Sequence, residues 1–248
     1  MIEIIFLGTN GWYDTLNGNT ISILIKTENY QIILDAGLGL AKLDEYTNNK
    51  KTFLYLSHFH LDHLYGLHTI SKNTFPEGLV IFGQPGLKNY IGTLMNHPFT
   101  LPFNKMKFTT ELCEFPDSMP VLPFGCTFAP LVHSDPCYGV RVIIDDKIIS
   151  YCPDTGYCSN AVDIAKNADV LITECAFLPG QINKDWPHLN PETAAQIAVE
   201  SYSKKLLLTH FEAFKYKTPE DRVLAQNTAR AVFPESYSSY DGMSVIIE

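Results

Sequence analysis

The sequence predicts an α/β fold in which sheets are covered by helices. Strand-like runs come first, strand–helix alternation follows, and the later helices carry explicit start signals.

Taken in order, strands are expected at about 2–7, 20–27 and 30–35, rich in Ile and Leu, with Asn17-Gly18 and Glu28-Asn29 marking turns. A short apolar strand, Phe53–Leu56, leads into a histidine-rich stretch, and a helix is expected at about 63–71. The segment 96–120 is rich in prolines and aromatics and reads as irregular, with one strand near 105–112. Strands follow near 121–131, 139–145 and 147–152, then a helix near 158–167 and a strand at 169–174. Asn190 as N-cap and Pro191 at the first helical position start a helix running to about 202. A strand at 205–209, a helix from Thr218-Pro219 and a strand near 243–247 close the series. No repeat or linker divides the chain, so one domain over 1–248 is expected.

The composition, 46% hydrophobic and 18% charged over 248 residues, allows a sizeable core. No apolar run reaches the roughly 18 residues of a membrane span. The start MIEIIFLG lacks the features of a signal peptide, and a cytoplasmic protein is the expectation. The net charge is −9 and no Lys/Arg cluster exceeds a pair, so no stable nucleic-acid complex is expected. The six cysteines (113, 126, 137, 152, 158 and 175) form no CxxC pair and read as reduced and mostly buried. Cys152 and Cys158 flank Asp154, which leaves a redox or metal-tuning role as an alternative.

Chemistry concentrates in Ser57–Gly66, SHFHLDHLYG, which holds three of the eight histidines. Polar residues also end four apolar runs: His58, Asp154, Glu174 and His210. Open α/β sheets gather ligand-binding groups at the carboxyl ends of their strands. In an extended segment His58 and His60 point the same way and can grip one ion, while Asp62 and His63 begin a turn and face a second. Imidazole nitrogen with carboxylate oxygen suits zinc, with manganese or iron less favoured.

The pattern His58-x-His60-x-Asp62-His63 resembles the signature of the metallo-β-lactamase superfamily. That resemblance implies an αββα four-layer sandwich of two mixed β-sheets flanked by helices, with two metal ions. It further implies that His58, His60, His133 and Asp154 hold the first ion and Asp62, His63, Asp154 and His210 the second. Within the superfamily the likeness is to the ribonuclease Z and phosphodiesterase branch, carried by IIFLGTNG, by Asp241-Gly242-Met243 and by His188-Leu189-Asn190-Pro191-Glu192-Thr193. It implies that His188, oriented by Glu174, acts as general acid and that Asp62 can take the proton of the attacking water. Ser57 and Thr209 read as supporting or packing groups, and His68 and His97 as ordinary surface residues.

Two departures matter. The interval from His133 to Asp154 leaves no room for the protruding arm of ribonuclease Z proteins that process transfer RNA, and the Pro and Arg-Asn substrate loop is missing from GTNGWYDTLNGNT. Trp12 and Tyr13 either stack on a base or pack as a lid. The leading expectation is a binuclear phosphodiesterase acting on a small or cyclic phosphodiester or a nucleotide end. The alternatives are a ribonuclease Z-type endonuclease, a thioester, lactone or lactam hydrolase, and an iron-dependent oxygen or redox protein. A homodimer is a further alternative, since it can build a groove that one chain lacks.

Overall fold

In the computed structural model, which describes residues 1–46 and 49–248, the apolar runs of the sequence become short, largely buried strands. In chain order these are β1 (Ile2–Gly8), β2 (Asn10–Gly11), β3 (Ser22–Lys26), β4 (Tyr30–Leu34), β5 (Lys51–Leu56), β6 (Leu79–Gly83) and β7 (Thr110–Glu114). They continue with β8 (Gly125–Pro130), β9 (Tyr138–Ile144), β10 (Lys147–Cys152), β11 (Val170–Glu174), β12 (Leu206–Thr209), β13 (Phe211–Glu212), β14 (Ser236–Ser238) and β15 (Ser244–Ile247). The α-helices are α1 (Leu87–Leu94), α2 (Ser159–Ile164), α3 (Pro191–Glu200) and α4 (Pro219–Val232). The chain divides into two compact units, one of Met1–Thr9, Gly18–Val121 and Asp241–Glu248, the other of Asn10–Asn17 and Leu122–Tyr240.

The first unit is built on a sheet of order β15-β1-β3-β4-β5-β6-β7. Strands β4 to β7 run parallel, whereas β15, β1 and β3 pair antiparallel. Both β4 and β6 are buried along their whole length, which is why each reads as an unbroken apolar run. Ile33, Leu54, Leu56, Leu67 and Ile81 belong to its core. The helix expected at about 63–71 is replaced by two 3₁₀ segments, Leu61–His63 and Tyr65–Lys72. Tertiary hydrogen bonds explain the change. Ala36 N donates to His63 O (2.8 Å), and Gly66 N donates to Ala36 O (2.9 Å), so these groups are taken from an α-helical ladder. Gly66 is required there, because a Cβ would lie 2.0 Å from Gly37 O. The strand expected near 105–112 also moves, to Thr110–Glu114, because Phe103–Lys105 forms a 3₁₀ turn.

The second unit carries a sheet of order β14-β12-β11-β10-β9-β8 and a small β2–β13 ladder. The β9–β10 hairpin turns through Asp145 and Asp146, both at positive φ (47° and 64°), as a two-residue type I′ turn demands. Strands β10, β11, β12 and β14 are parallel, so the first three deliver their carboxyl ends, and Asp154, Glu174 and His210, to one edge. Helix α3 starts with a capping box: Thr193 N donates to Asn190 Oδ1 (2.8 Å) and Asn190 N to Thr193 Oγ1 (3.1 Å). Thr218 and Asp221 cap α4 in the same way. Leu171, Ile197, Leu206, Leu208 and Phe211 belong to this unit's core.

None of the six cysteines is in a disulfide, and Cys113, Cys137, Cys152 and Cys175 are buried. Among the described residues no helix is long and apolar enough to cross a membrane.

Candidate metal centre

In the first unit the ligand-type residues follow β5 directly. His58 and His63 are fully buried, their ring centres 4.1 Å apart, and His60 lies 4.7 Å from His58. Donor atoms of His58 and His60 approach within 4.8 Å of each other, and so do those of Asp62 and His63. One buried carboxylate organises the set. Asp35, at the end of β4, accepts hydrogen bonds from Ser57 N (2.8 Å, Oδ1), Ser57 Oγ (2.8 Å, Oδ2) and His63 Nδ1 (2.8 Å, Oδ2). The Ser57 hydroxyl has one proton and gives it to Asp35, so its lone pair accepts from His58 Nδ1 at 3.0 Å. Both imidazoles therefore carry their proton on Nδ1 and keep the Nε2 lone pair for a ligand. Asp35 sits at φ 58°, a left-handed conformation that Asp tolerates better than most residues. Sequence reading passed over this residue, although YQIILD shows the same strand-end pattern that singled out His58, Asp154, Glu174 and His210.

In the second unit the residues come from three separate places. Asp154 faces two histidines at once: its Oδ1 is 3.3 Å from His210 Nε2, and its Oδ2 is 3.8 Å from His133 Nε2. Two donors on one tetrahedral zinc, each about 2.0–2.1 Å from it, lie about 3.3 Å apart, so these separations fit shared ions better than a direct hydrogen bond. The two oxygens of Asp154 thus face two different histidines. His133 is placed by pairing of Val132 with Gly156, whose N donates to Val132 O (2.7 Å). His210 takes φ 51° between β12 and β13, and Gly11 of β2 lies against its ring. A Cβ on Gly11 would be 2.4 Å from His210 Cε1. Burial pushes the Cys152 thiol far above its ordinary range, and Cys158 Sγ lies 3.8 Å from Thr155 Oγ1. The donor set, imidazole nitrogen and carboxylate oxygen, fits zinc, manganese or iron.

Beside these lies a pair. Glu174 is buried at the end of β11, and its Oε1 accepts from Thr155 N (2.6 Å) and His188 Nδ1 (2.7 Å). Ala176 N donates to the other oxygen at 3.1 Å. Burial alone would lower the His188 pKa, but the charge and hydrogen bond of Glu174, with Asp154 further off, outweigh it and raise the value to about 9. The His188 ring stacks 6.4 Å from His210 and packs edge-on against His133 and Phe177, each at 5.5 Å. Its loop is tied to α3, since Gly180 N donates to Glu192 Oε1 (3.1 Å) and Asn190 Nδ2 to Gln181 O (3.0 Å). Phe177 N donates to Leu189 O at 3.0 Å. Thr209 is buried one residue before His210. His68 and His97 are exposed, and Trp12 and Tyr13 are exposed with rings edge-on at 5.2 Å.

Residues 30–211 match the β-lactamase superfamily domain. The chain belongs to the metallo-β-lactamase superfamily, in its ribonuclease Z-like branch. The probable metallo-hydrolase YhfI of Bacillus subtilis (strain 168) is 27% identical over 220 residues, which cover 86% of this chain and 88% of that protein. The ribonuclease Z of Bacillus licheniformis is 25% identical over 300 aligned positions, covering 97% of each. That alignment is longer than the 248 residues here, so the ribonuclease Z carries segments with no counterpart in this chain. The crystal structure of Bacillus subtilis YhfI superposes with a TM-score of 0.81 at 25% identity, covering 99% of this chain and 100% of that one. Human short-form tRNase Z gives 0.77 at 22% identity, covering 99% of both. The mixed α/β fold is that of the superfamily.

Proposed function

We propose that this metallo-hydrolase of the β-lactamase superfamily cleaves small or cyclic phosphodiesters or nucleotide ends, its two units acting as one hydrolase domain over residues 1–248. In this reading His58, His60, His133 and Asp154 hold one divalent ion, and Asp62, His63, Asp154 and His210 hold the other, with zinc favoured. The observation that carries it is the His188–Glu174 pair, an imidazole fixed through Nδ1 on a buried carboxylate with its ring stacked on that of His210. Expulsion of an alkoxide from a phosphodiester calls for a dedicated proton donor, whereas a thiolate leaves a thioester without one.

Bound ions would supply Lewis acidity and a water acidified towards neutral pH. The chain's own residues do the rest. Asp62 takes a proton from the attacking water, and His188 gives its Nε2 proton to the leaving oxygen. Glu174 keeps the other proton on Nδ1 and stabilises the imidazolium. Backbone amides of Thr155 and Ala176 hold Glu174 in place.

A ribonuclease reading is favoured by the full-length match to ribonuclease Z. Against it stand the shorter chain and the net charge of −9 without basic runs. Elemental analysis with a substrate panel decides. We expect about two ions per loaded chain, activity removed by chelation and restored by metal, and small diesters turned over well ahead of precursor transfer RNA. One ion per active chain overturns the binuclear site. Efficient cutting of precursor transfer RNA with a steep salt dependence overturns the substrate class.

A further inference from the structure

Trp186 is 49% exposed although it stands two residues before the buried side chain of His188. Its ring centre is 6.3 Å from that of His133 and 6.0 Å from that of His188. A tryptophan whose ring neighbours are imidazoles leaves a flat apolar face beside a polar site, where core packing gives no account of it. The loop also holds it in place. Pro187 sits on Gly156, where a Cβ would be 2.9 Å from Pro187 Cβ, and Leu189 on the far side of His188 is fully buried. Trp186 is thus anchored to the segment that carries Asp154 and to the residue proposed as proton donor.

The geometry points to Trp186 as the platform on which the nucleobase of the leaving nucleoside stacks. This rests on the phosphodiesterase reading. An alcohol that receives its proton from His188 departs from beside that imidazole, and a base carried on its sugar extends one sugar's width further. The Trp186 ring centre, 6.0 Å from that of His188, stands within reach of such a base. Base–aromatic stacking tolerates any base, because every base has a π-face. The substrate class that follows is a phosphodiester whose leaving alcohol carries a nucleobase, in preference to alkyl or sugar-only diesters.

Two measurements test it. The chain has two tryptophans, so in W12F protein Trp186 is the sole emitter. Adenosine 5′-monophosphate should quench its fluorescence saturably, and ribose 5-phosphate should not. In kinetics, a dinucleoside monophosphate is compared with the same diester bearing an abasic leaving sugar. The wild type should favour the base-bearing diester by roughly 5- to 150-fold in kcat/KM, mostly through KM. That ratio should fall to near one in W186A and be largely recovered in W186F, which also guards against misfolding. Equal kcat/KM in the wild type, a preference that survives in W186A, or one lost in W12F instead, overturns the platform and leaves the phosphodiesterase reading standing. Quenching by the nucleotide without turnover of either diester overturns the reading, and with it a platform for a leaving nucleoside, and leaves nucleotide binding alone. Absence of both quenching and turnover overturns both.

Discussion

The two units present ligand-type residues by opposite means. In the first, four of them lie in one six-residue segment after β5, and a single buried carboxylate, Asp35, sets both buried imidazoles through Ser57 and directly. In the second, His133, Asp154 and His210 come from distant parts of the chain, the last two brought to one edge by parallel strands and His133 by the bridge of Val132 to Gly156. A contiguous set needs only a local turn and an orienting group. A dispersed set needs the whole sheet, and gains from it a position for an additional pair, Glu174 and His188, on the neighbouring strand end.

The comparison breaks most severely at Asp154. Asp154→Ala removes the carboxylate that faces both His133 and His210, so elemental analysis should show loss of both ions and activity at background. Retention of one ion at full occupancy would show that the carboxylate is not shared. His188→Ala comes next: the protein should keep its metal yet lose roughly 10²–10⁴ in turnover of a diester with a poor leaving group, and much less with an activated aryl ester. Equal losses on both substrates would remove the proton-donor role.

Asp35→Asn sharpens the contrast between the units. Asn also tolerates a positive φ, so the backbone should hold while the charge is lost. Metal affinity should fall about 10- to 100-fold, with activity rescued by excess metal, whereas metal should not rescue Glu174→Gln. The smallest effect is expected at Asp169, which accepts from Ile148 N (2.8 Å) and Lys204 Nζ (2.7 Å) at the other end of β10 and β11. Burial would raise its pKa, but those hydrogen bonds bring it below the ordinary carboxylate value. A depressed folded-state pKa means stability that is complete above the unfolded value and lost as pH falls through the folded one. Asp169→Asn should therefore cost about 1 kcal/mol at pH 7, the exposed lysine adding little, and the difference from wild type should vanish in acid. A pH-independent difference in denaturation midpoint would refute this.

The contiguous half of the site was legible because its spacing sits in a single turn of text. Asp154, Glu174 and His210 were legible as strand ends, but the pairing of Glu174 with His188 came from family likeness, since no local pattern links them. Asp35 escaped because a lone aspartate after an apolar run has no partner nearby in sequence; its role appears only when β4 and β5 lie side by side. Strand β6 was overlooked in LVIFG, an unbroken apolar run without alternation. The helix expected at 63–71 failed for another reason. Hydrogen bonds to Ala36 and the close approach at Gly66, neither visible in the local sequence, decide the backbone there.

The ties between the His188 loop and the first turn of α3 have a consequence for how such a protein can diversify. Gly180 and Gln181 are pinned to Glu192 and Asn190, and Leu189 is locked in the core. Between those pins, residues 182–186 are all exposed, so substitutions among them should leave the ends in place. Lineages can retarget such a protein by rewriting five codons without disturbing the group beside them, and a directed-evolution library placed there would search selectivity while sparing the fold.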